Sequence, residues 1–135
     1  MGEYFMKNKL SCFCILFSLG GTAYGLLEII WRRHTHWSMI LTGGLCFAAL
    51  YKIFRSIGIC TMRLKCLIGC TVITITELLS GFVFNYCFKL CVWDYSSHRF
   101  NFCGQICPFY SMLWAFLTIP VTHICSFIDR KFHLV

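Results

Sequence analysis

Four long apolar segments limit what this chain can fold into. They occupy residues 11–31, 37–54, 66–88 and 105–128 of the 135. A helix needs about 20 apolar residues to cross the hydrocarbon core of a bilayer, and each segment is close to that length. In lipid the backbone must satisfy its own hydrogen bonds, which favours helices. The sequence therefore predicts an all-α fold, an integral membrane bundle of four transmembrane helices.

The composition indicates that lipid is the solvent for much of this surface. Hydrophobic residues make up 59% of the chain and charged residues only 13%, whereas soluble domains carry about 25% charged residues. The net charge is +7, but the basic residues lie at the ends of the apolar segments, where they contact lipid headgroups. We therefore expect the lipid bilayer, and no nucleic acid, as a partner. The length fits a single transmembrane domain, 1–135.

Basic residues in the connectors predict the orientation. If each segment crosses the membrane, one side receives Lys7, Lys9, Lys52, Arg55, Arg63, Lys65, Arg130 and Lys131, and the other receives Arg32, Arg33, Lys89 and Arg99. The positive-inside rule then predicts that both termini lie in the cytoplasm and that the outer loop, 89–104, faces away from it. The first segment has no small-residue cleavage pattern with a polar sequel, so we interpret it as a retained span.

Small residues at helical spacing predict how the helices pack. Gly21 and Gly25 form a GxxxG pattern, which lets a second helix approach closely. Gly44 in the second segment and Gly81 in the third lie on comparable stripes. The remaining faces are mostly Leu, Ile, Phe and Val, as expected for surfaces that meet lipid.

Two acidic residues lie inside the apolar segments. Glu77 is about eleven residues from either end of its segment, and a carboxyl group at that depth is costly unless it is neutralised or paired, so it is a functional candidate. The alternative is a protonated Glu77 that only joins helices. Glu28 lies four residues before Arg32, which favours an ion pair along one helix face. A functional interpretation places Glu28, Glu77, Asn85 and Asp94 around one polar cavity open to the outside.

The outer loop supplies further candidates. Trp93, Asp94, Asn101 and Gln105 lie between two strongly apolar segments, and Asn101 and Gln105 could turn inward toward the acids. Together with Glu28, Glu77 and Asn85 they form a candidate ligand or ion path. The alternative is that Trp93 and Tyr95 are interfacial aromatic residues and Asp94 caps a turn.

The sequence lacks the common signatures of enzymes. It has no GxxxxGK[ST] phosphate loop, no HExxH and no GxSxG, so we expect no catalytic residues, no ATP hydrolysis by this chain and no cofactor. Its 11 cysteines lie mostly in apolar segments and none forms a CxxC pair. Such cysteines behave as small apolar residues, so we expect no metal site.

Five sequence blocks carry a family resemblance: YGLLEIIWR (24–32), HWSMILTGGLCF (36–47), TELLSGFVFN (76–85), VWDYS (92–96) and FNFCGQIC (100–107). In this order they resemble the small bacterial membrane proteins described as ABC transporter permeases of type IV, the CmpB-like family. The resemblance implies a transport component of the bacterial cytoplasmic membrane. It also implies a separate ATPase subunit. A homo-oligomer is implied as well, because four spans are few for one of the two membrane halves of an ABC permease.

Two hypotheses for the function remain open at this point. One is a permease-like component of an ABC transporter with an outward-facing polar cavity. The other is a non-transporting scaffold or regulatory subunit of a partner complex, in which the polar stripes serve helix packing alone.

Overall fold

A computed structural model describes residues 9–132, and this part of the chain is almost entirely helical. Helix α1 is Lys9–Arg32, α2 is Trp37–Ile57, α3 is Met62–Gly81 and α4 is Pro108–Phe132. A π-helical turn, Phe82–Cys87, continues α3. Within 9–132 the only β-type pairing is a bridge between Phe102 and Ile106. The predicted all-α fold is confirmed, and Lys7 lies outside the described residues.

All four helices are long and apolar enough to cross a membrane. They contain 24, 21, 26 and 25 residues when the π-helical turn is counted with α3. The mean α-helix of a soluble protein is about 11–12 residues, so helices of this length and apolarity are typical of membrane spans. Each predicted span thus corresponds to one of these four helices, with different ends.

Local capping explains where the helices begin. His36 caps α2, because its ring nitrogen Nδ1 accepts the amide hydrogen of Ser38. Thr61 caps α3 through its hydroxyl, so that helix starts four residues before the predicted residue 66. Pro108 begins α4, three residues after the predicted start, at a position where its missing N–H costs little. Gln105 therefore belongs to the loop and not to the fourth span.

The contacts group the described chain into two compact units, and the prediction of one domain stays a prediction. The first unit contains α1, α2 and α4 from Pro120 onward, and the second contains residues 60–119. Helix α4 runs through Pro120 without interruption.

Glycines hold α1 and α2 together in the first unit. A Cβ on Gly21 would lie 2.7 Å from the carbonyl oxygen of Ile40, and one on Gly44 would lie 2.6 Å from that of Phe17. Gly25 packs on the Ile40 side chain. Backbones this close leave no room for larger side chains, which is the arrangement that GxxxG patterns permit.

In the second unit, α3 packs on the first half of α4 through small and polar side chains. Gly69 lies against Thr118, which is fully buried. The thiol of Cys70 donates to the carbonyl oxygen of Ser111, and the hydroxyls of Thr74 and Ser111 are 3.1 Å apart. Small and polar side chains of α3 therefore face those of the first half of α4 here. This packing carries the candidate site.

Candidate functional site

The buried carboxyl group of Glu77 joins three segments of the second unit through hydrogen bonds. Glu77 lies in the last half of α3 and only 6% of it is exposed. Its Oε1 accepts a hydrogen bond from the hydroxyl of Tyr95 at 2.7 Å. Its Oε2 accepts one from Nε1 of Trp114 in α4 at 3.0 Å. A helix, a loop and a second helix thus meet at one acidic side chain.

The Tyr95 ring that makes the first of these bonds belongs to an aromatic cluster with His98 and Tyr110. The rings of Tyr95 and Tyr110 are stacked, with centroids 4.6 Å apart and an angle of 11° between their planes. The His98 ring meets both edge-on. Its Nδ1 is buried and has no hydrogen-bond partner within the described part of the chain. His98 thus places a ring nitrogen without a hydrogen bond among the described residues beside the two stacked tyrosine rings.

The 88–107 loop is attached to α3 by the side chain of Asn85. Its Nδ2 donates to Oε1 of Gln105 at 2.9 Å and to the carbonyl oxygen of Trp93 at 3.1 Å. Its Oδ1 accepts the amide hydrogen of Val92. Asn85 lies in the π-helical turn, a distortion that is often found at functional sites. Asn85 therefore serves to hold the loop on the helix.

Trp93 and Gln105 complete this attachment. Trp93 is 4% exposed, and its Nε1 donates to the carbonyl oxygen of Gln105. A Cβ on Gly81 would lie 3.0 Å from the Trp93 ring, so the absence of a side chain at Gly81 makes room for the loop. Trp93 is therefore folded into the protein, and its position relative to the membrane surface stays a prediction.

Asn101 and Asp94 shape the turn at the other end of the loop. Asn101 donates to the carbonyl oxygens of Ser96 and His98, and its Oδ1 accepts from the amide of Gly104. Asp94 is exposed and accepts from the amide and the hydroxyl of Ser96. These bonds favour the ionised form and lower the pKa of the Asp94 carboxyl group. Asp94 thus acts as a turn-forming residue at the surface.

The loop backbone is strained as well as tightly bonded. Lys89, Cys91, Phe100 and Cys103 all have φ between 49° and 57°, a region that costs L-residues about 1–2 kcal/mol each. Only Gly104, at φ 70°, adopts it without this penalty. A Cβ on Gly104 would also lie 2.9 Å from Oδ1 of Asp94. The hydrogen bonds around Asn85 and Asn101 must therefore offset this strain.

Glu28 belongs to the first unit, whereas the other six candidates all lie in the second. It is 6% exposed and forms an ion pair with Arg32 at 3.2 Å, four residues further along α1. Thr35 Oγ1 lies 3.5 Å from its other carboxylate oxygen. The pair predicted from the spacing is therefore present.

Trp114 and the pair of Tyr51 and Asp129 were not predicted from the sequence. Trp114 lies between Ser111 and Thr118 at helical spacing, so its position on the polar face of α4 was a usable signal. In the first unit the hydroxyl of Tyr51 donates to Asp129. Asp129 is one of only five acidic residues, and its rarity was the available signal.

The described residues show no group of three or more histidine, cysteine or acidic side chains that could hold a metal ion. All cysteines among them are free thiols. The arrangement around Glu77 combines hydrogen-bond donors with ionisable side chains, those of Glu77 and His98 among them.

The fold and the site together define a multi-pass membrane protein with a buried acidic residue under a structured loop. A family model described as "Putative ABC-transporter type IV" matches residues 10–133. Since this match covers nearly the whole chain, the protein belongs to that family. No solved structure matches the chain.

Proposed function

We propose that this protein is the membrane-spanning, permease-type component of an ABC transporter in the bacterial cytoplasmic membrane. The family match over residues 10–133 and the four apolar helices support this proposal. The chain has no phosphate-binding loop, so a separate ATPase subunit supplies the energy and this component is not itself an enzyme. Several copies assemble, because four spans are few for a permease half.

The orientation follows from the basic connectors. Both termini and the connector between α2 and α3 face the cytoplasm, and the 88–107 loop faces outward. Glu77 then lies below a loop that closes the outer end of the second unit. The proposed polar path begins at this loop.

The contact between Tyr95 and Glu77 is the observation that carries the proposal. Trp114 can only donate, so it fixes one oxygen of Glu77 as an acceptor, whereas the Tyr95 hydroxyl can donate or accept. Glu77 can therefore gain or lose a proton while both hydrogen bonds are kept. The unbonded Nδ1 of His98 adds a polar group for a solute that passes the loop. We propose that Glu77 binds a proton or a cationic group during transport.

Proton flux in proteoliposomes tests the role of Glu77. The protein is purified from native membranes together with its ATPase partner and reconstituted with a pH-sensitive dye inside. ATP outside and a potassium diffusion potential then drive proton entry. Glu77→Gln keeps the size and the hydrogen bonds of the side chain but cannot ionise, so we expect it to abolish the flux. Glu28→Gln is the matched control, with flux retained. Unchanged flux in Glu77→Gln would remove this residue from any mechanism.

Purification from native membranes tests the ATPase partner. The tagged protein, extracted in mild detergent, should carry ATP-hydrolysing activity that is retained on gel filtration. A preparation that contains this chain alone, with no ATP hydrolysis, would contradict the ABC-transporter assignment without affecting the result for Glu77.

One observation favours the alternative of a non-transporting scaffold. The polar groups of Asn85, Gln105 and Asn101 are engaged in bonds that shape the loop. In a scaffold, Glu77→Gln would leave function intact. The Gly21 and Gly25 face would not be the partner surface, because it already packs on Ile40.

A further inference from the structure

The tip of the loop, residues 99–102, presents two large apolar side chains. Phe100 is 86% exposed and Phe102 is 59% exposed. Between them, Asn101 makes three hydrogen bonds within the loop. The asparagine therefore faces the loop interior, while the two phenylalanines that flank it do not.

The exposure of these rings is built into the backbone. Phe100 has φ 57°, a conformation that an aromatic residue adopts only when its surroundings impose it. The amide of Phe102 donates to the carbonyl oxygen of Ile106, and the amide of Tyr95 donates to that of Gly104. A loop held this firmly in a strained form does not expose two phenylalanines through disorder.

The neighbouring residues indicate what covers the rings. Arg99 precedes Phe100, and Lys89 follows Phe88, which is 62% exposed. Basic residues next to aromatic ones are typical of segments that lie at the headgroup level of a membrane. The basic side chains can bind lipid phosphates, and the phenylalanine rings can pack on the upper part of the acyl chains.

The tip is also close to the start of a membrane span. Phe102 forms a backbone bridge with Ile106, which is two residues before the first residue of α4. Phe109, in the first turn of that helix, is 54% exposed. The tip is thus bonded to the short segment that leads directly into a helix long and apolar enough to lie in lipid.

We propose that the loop tip inserts into the leaflet on its own side of the membrane. Phe100 and Phe102 lie at the boundary between headgroups and acyl chains, and Arg99 and Lys89 contact lipid phosphates. This lipid contact holds the loop over Glu77 from outside, in addition to the bonds of Asn85. It does not depend on whether the protein transports.

Site-specific photocrosslinking tests this lipid contact. The phenylalanine analogue p-benzoylphenylalanine is placed at position 100, 102 or 97 in the full chain, and each variant is reconstituted in vesicles of phosphatidylethanolamine and phosphatidylglycerol. On irradiation the benzophenone forms bonds to nearby C–H groups. Position 97 is the control, because Ser97 is exposed in the same loop. We expect lipid adducts, detected by mass spectrometry, to be several-fold more abundant at 100 and 102.

Equal adduct yields at 97 and 100 would overturn the proposal. So would crosslinks from position 100 to another polypeptide, when the irradiation is repeated in native membranes. Gel filtration of each variant before reconstitution shows that it is folded. Because positions 100 and 102 are probed separately, either one gives a result if the other variant misfolds.

Discussion

Two acidic residues in the described part of the chain, Glu28 and Glu77, are equally buried, but their carboxyl groups are stabilised by different partners. Glu28 and Glu77 are both 6% exposed. Glu28 pairs with Arg32 on its own helix, so its compensation is local. Glu77 accepts from Tyr95 and Trp114, which lie 18 and 37 residues away. The comparison shows that one acid belongs to a single helix, whereas the other depends on the fold of a whole unit.

The same difference extends to the units around them. In the first unit, α1 and α2 approach through glycines, and the packing is between backbone and side chains. In the second, hydrogen bonds join α3, the 88–107 loop and α4. We expect the first unit to be sensitive to added volume and the second to the loss of single polar atoms.

The largest difference is expected when the carboxyl group of Glu77 or of Glu28 is removed and the free energies of unfolding are compared. Glu77→Ala removes the acceptor of two donors and should lower the free energy of unfolding by about 2–4 kcal/mol. Glu28→Ala should cost no more than about 1 kcal/mol, because Arg32 is partly exposed and remains solvated. Unfolding by SDS in mixed micelles measures both. An equal loss in the two variants would contradict the comparison, and Glu77→Gln should be milder than Glu77→Ala.

Substitution of two glycines on one face of α1, Gly21 and Gly25, tests how closely α1 and α2 pack in the first unit. Gly21→Ala would place a Cβ 2.7 Å from a backbone oxygen of Ile40, whereas in Gly25→Ala the nearest atom is Ile40 Cγ1 at 3.2 Å. Since backbone cannot move aside as a side chain can, we expect Gly21→Ala to cost about 1–3 kcal/mol and Gly25→Ala less. The same unfolding assay applies. A larger loss for Gly25→Ala would show that the close approach is elsewhere.

The contribution of the Tyr95 hydroxyl to the loop can be compared with that of the hydroxyl of Tyr110, the residue on which Tyr95 stacks. Tyr95→Phe loses the bond to Glu77 and should cost about 1 kcal/mol. Amide hydrogen exchange in residues 93–104 should become faster, with α1 and α2 unchanged. Tyr110→Phe keeps the stacked ring and is the matched control. If both variants exchange alike, ring packing and not the hydroxyl holds the loop.

The smallest effect is expected at Asp94, and it depends on pH. Ser96 lowers the pKa of this carboxyl group in the folded state. Its contribution to stability is therefore present above the unfolded pKa of about 4 and is lost as the pH falls through the folded value. Hydrogen exchange at the Ser96 amide, compared with Asp94→Asn at each pH, measures it. A difference between the two proteins that is constant across this range would refute the role of Asp94.

The sequence predicted the parts of this structure that depend on local pattern. The length of the apolar segments predicted four helices long enough to cross a membrane. The four-residue spacing of Glu28 and Arg32 predicted their ion pair. The capping effect of Thr61 and the initiation of α4 at Pro108 were less visible, because such signals shift helix ends by only a few residues.

The environment of Glu77 could not be read from the sequence in the same way. Its partners are Tyr95, in an irregular loop, and Trp114, on a different helix, so no period links them. Trp93 and Tyr95 are amphipathic, and composition alone cannot distinguish a ring at the membrane surface from one folded inward. The positive φ values at Phe100 and Cys103 are imposed by contacts that form only in the folded unit.

The π-helical turn at Phe82–Cys87 has a consequence for how the chain can vary. The amide of Phe88 bonds to the carbonyl oxygen of Val83, five residues back instead of four, so this turn accommodates one residue more than an α-helix would. Loss of a single residue between Gly81 and Asn85 would restore regular winding and rotate Asn85 by about 100° relative to α3. The span would remain intact, but Asn85 would no longer point at the loop. The π-helical turn therefore determines the direction in which α3 presents the side chain that holds the loop.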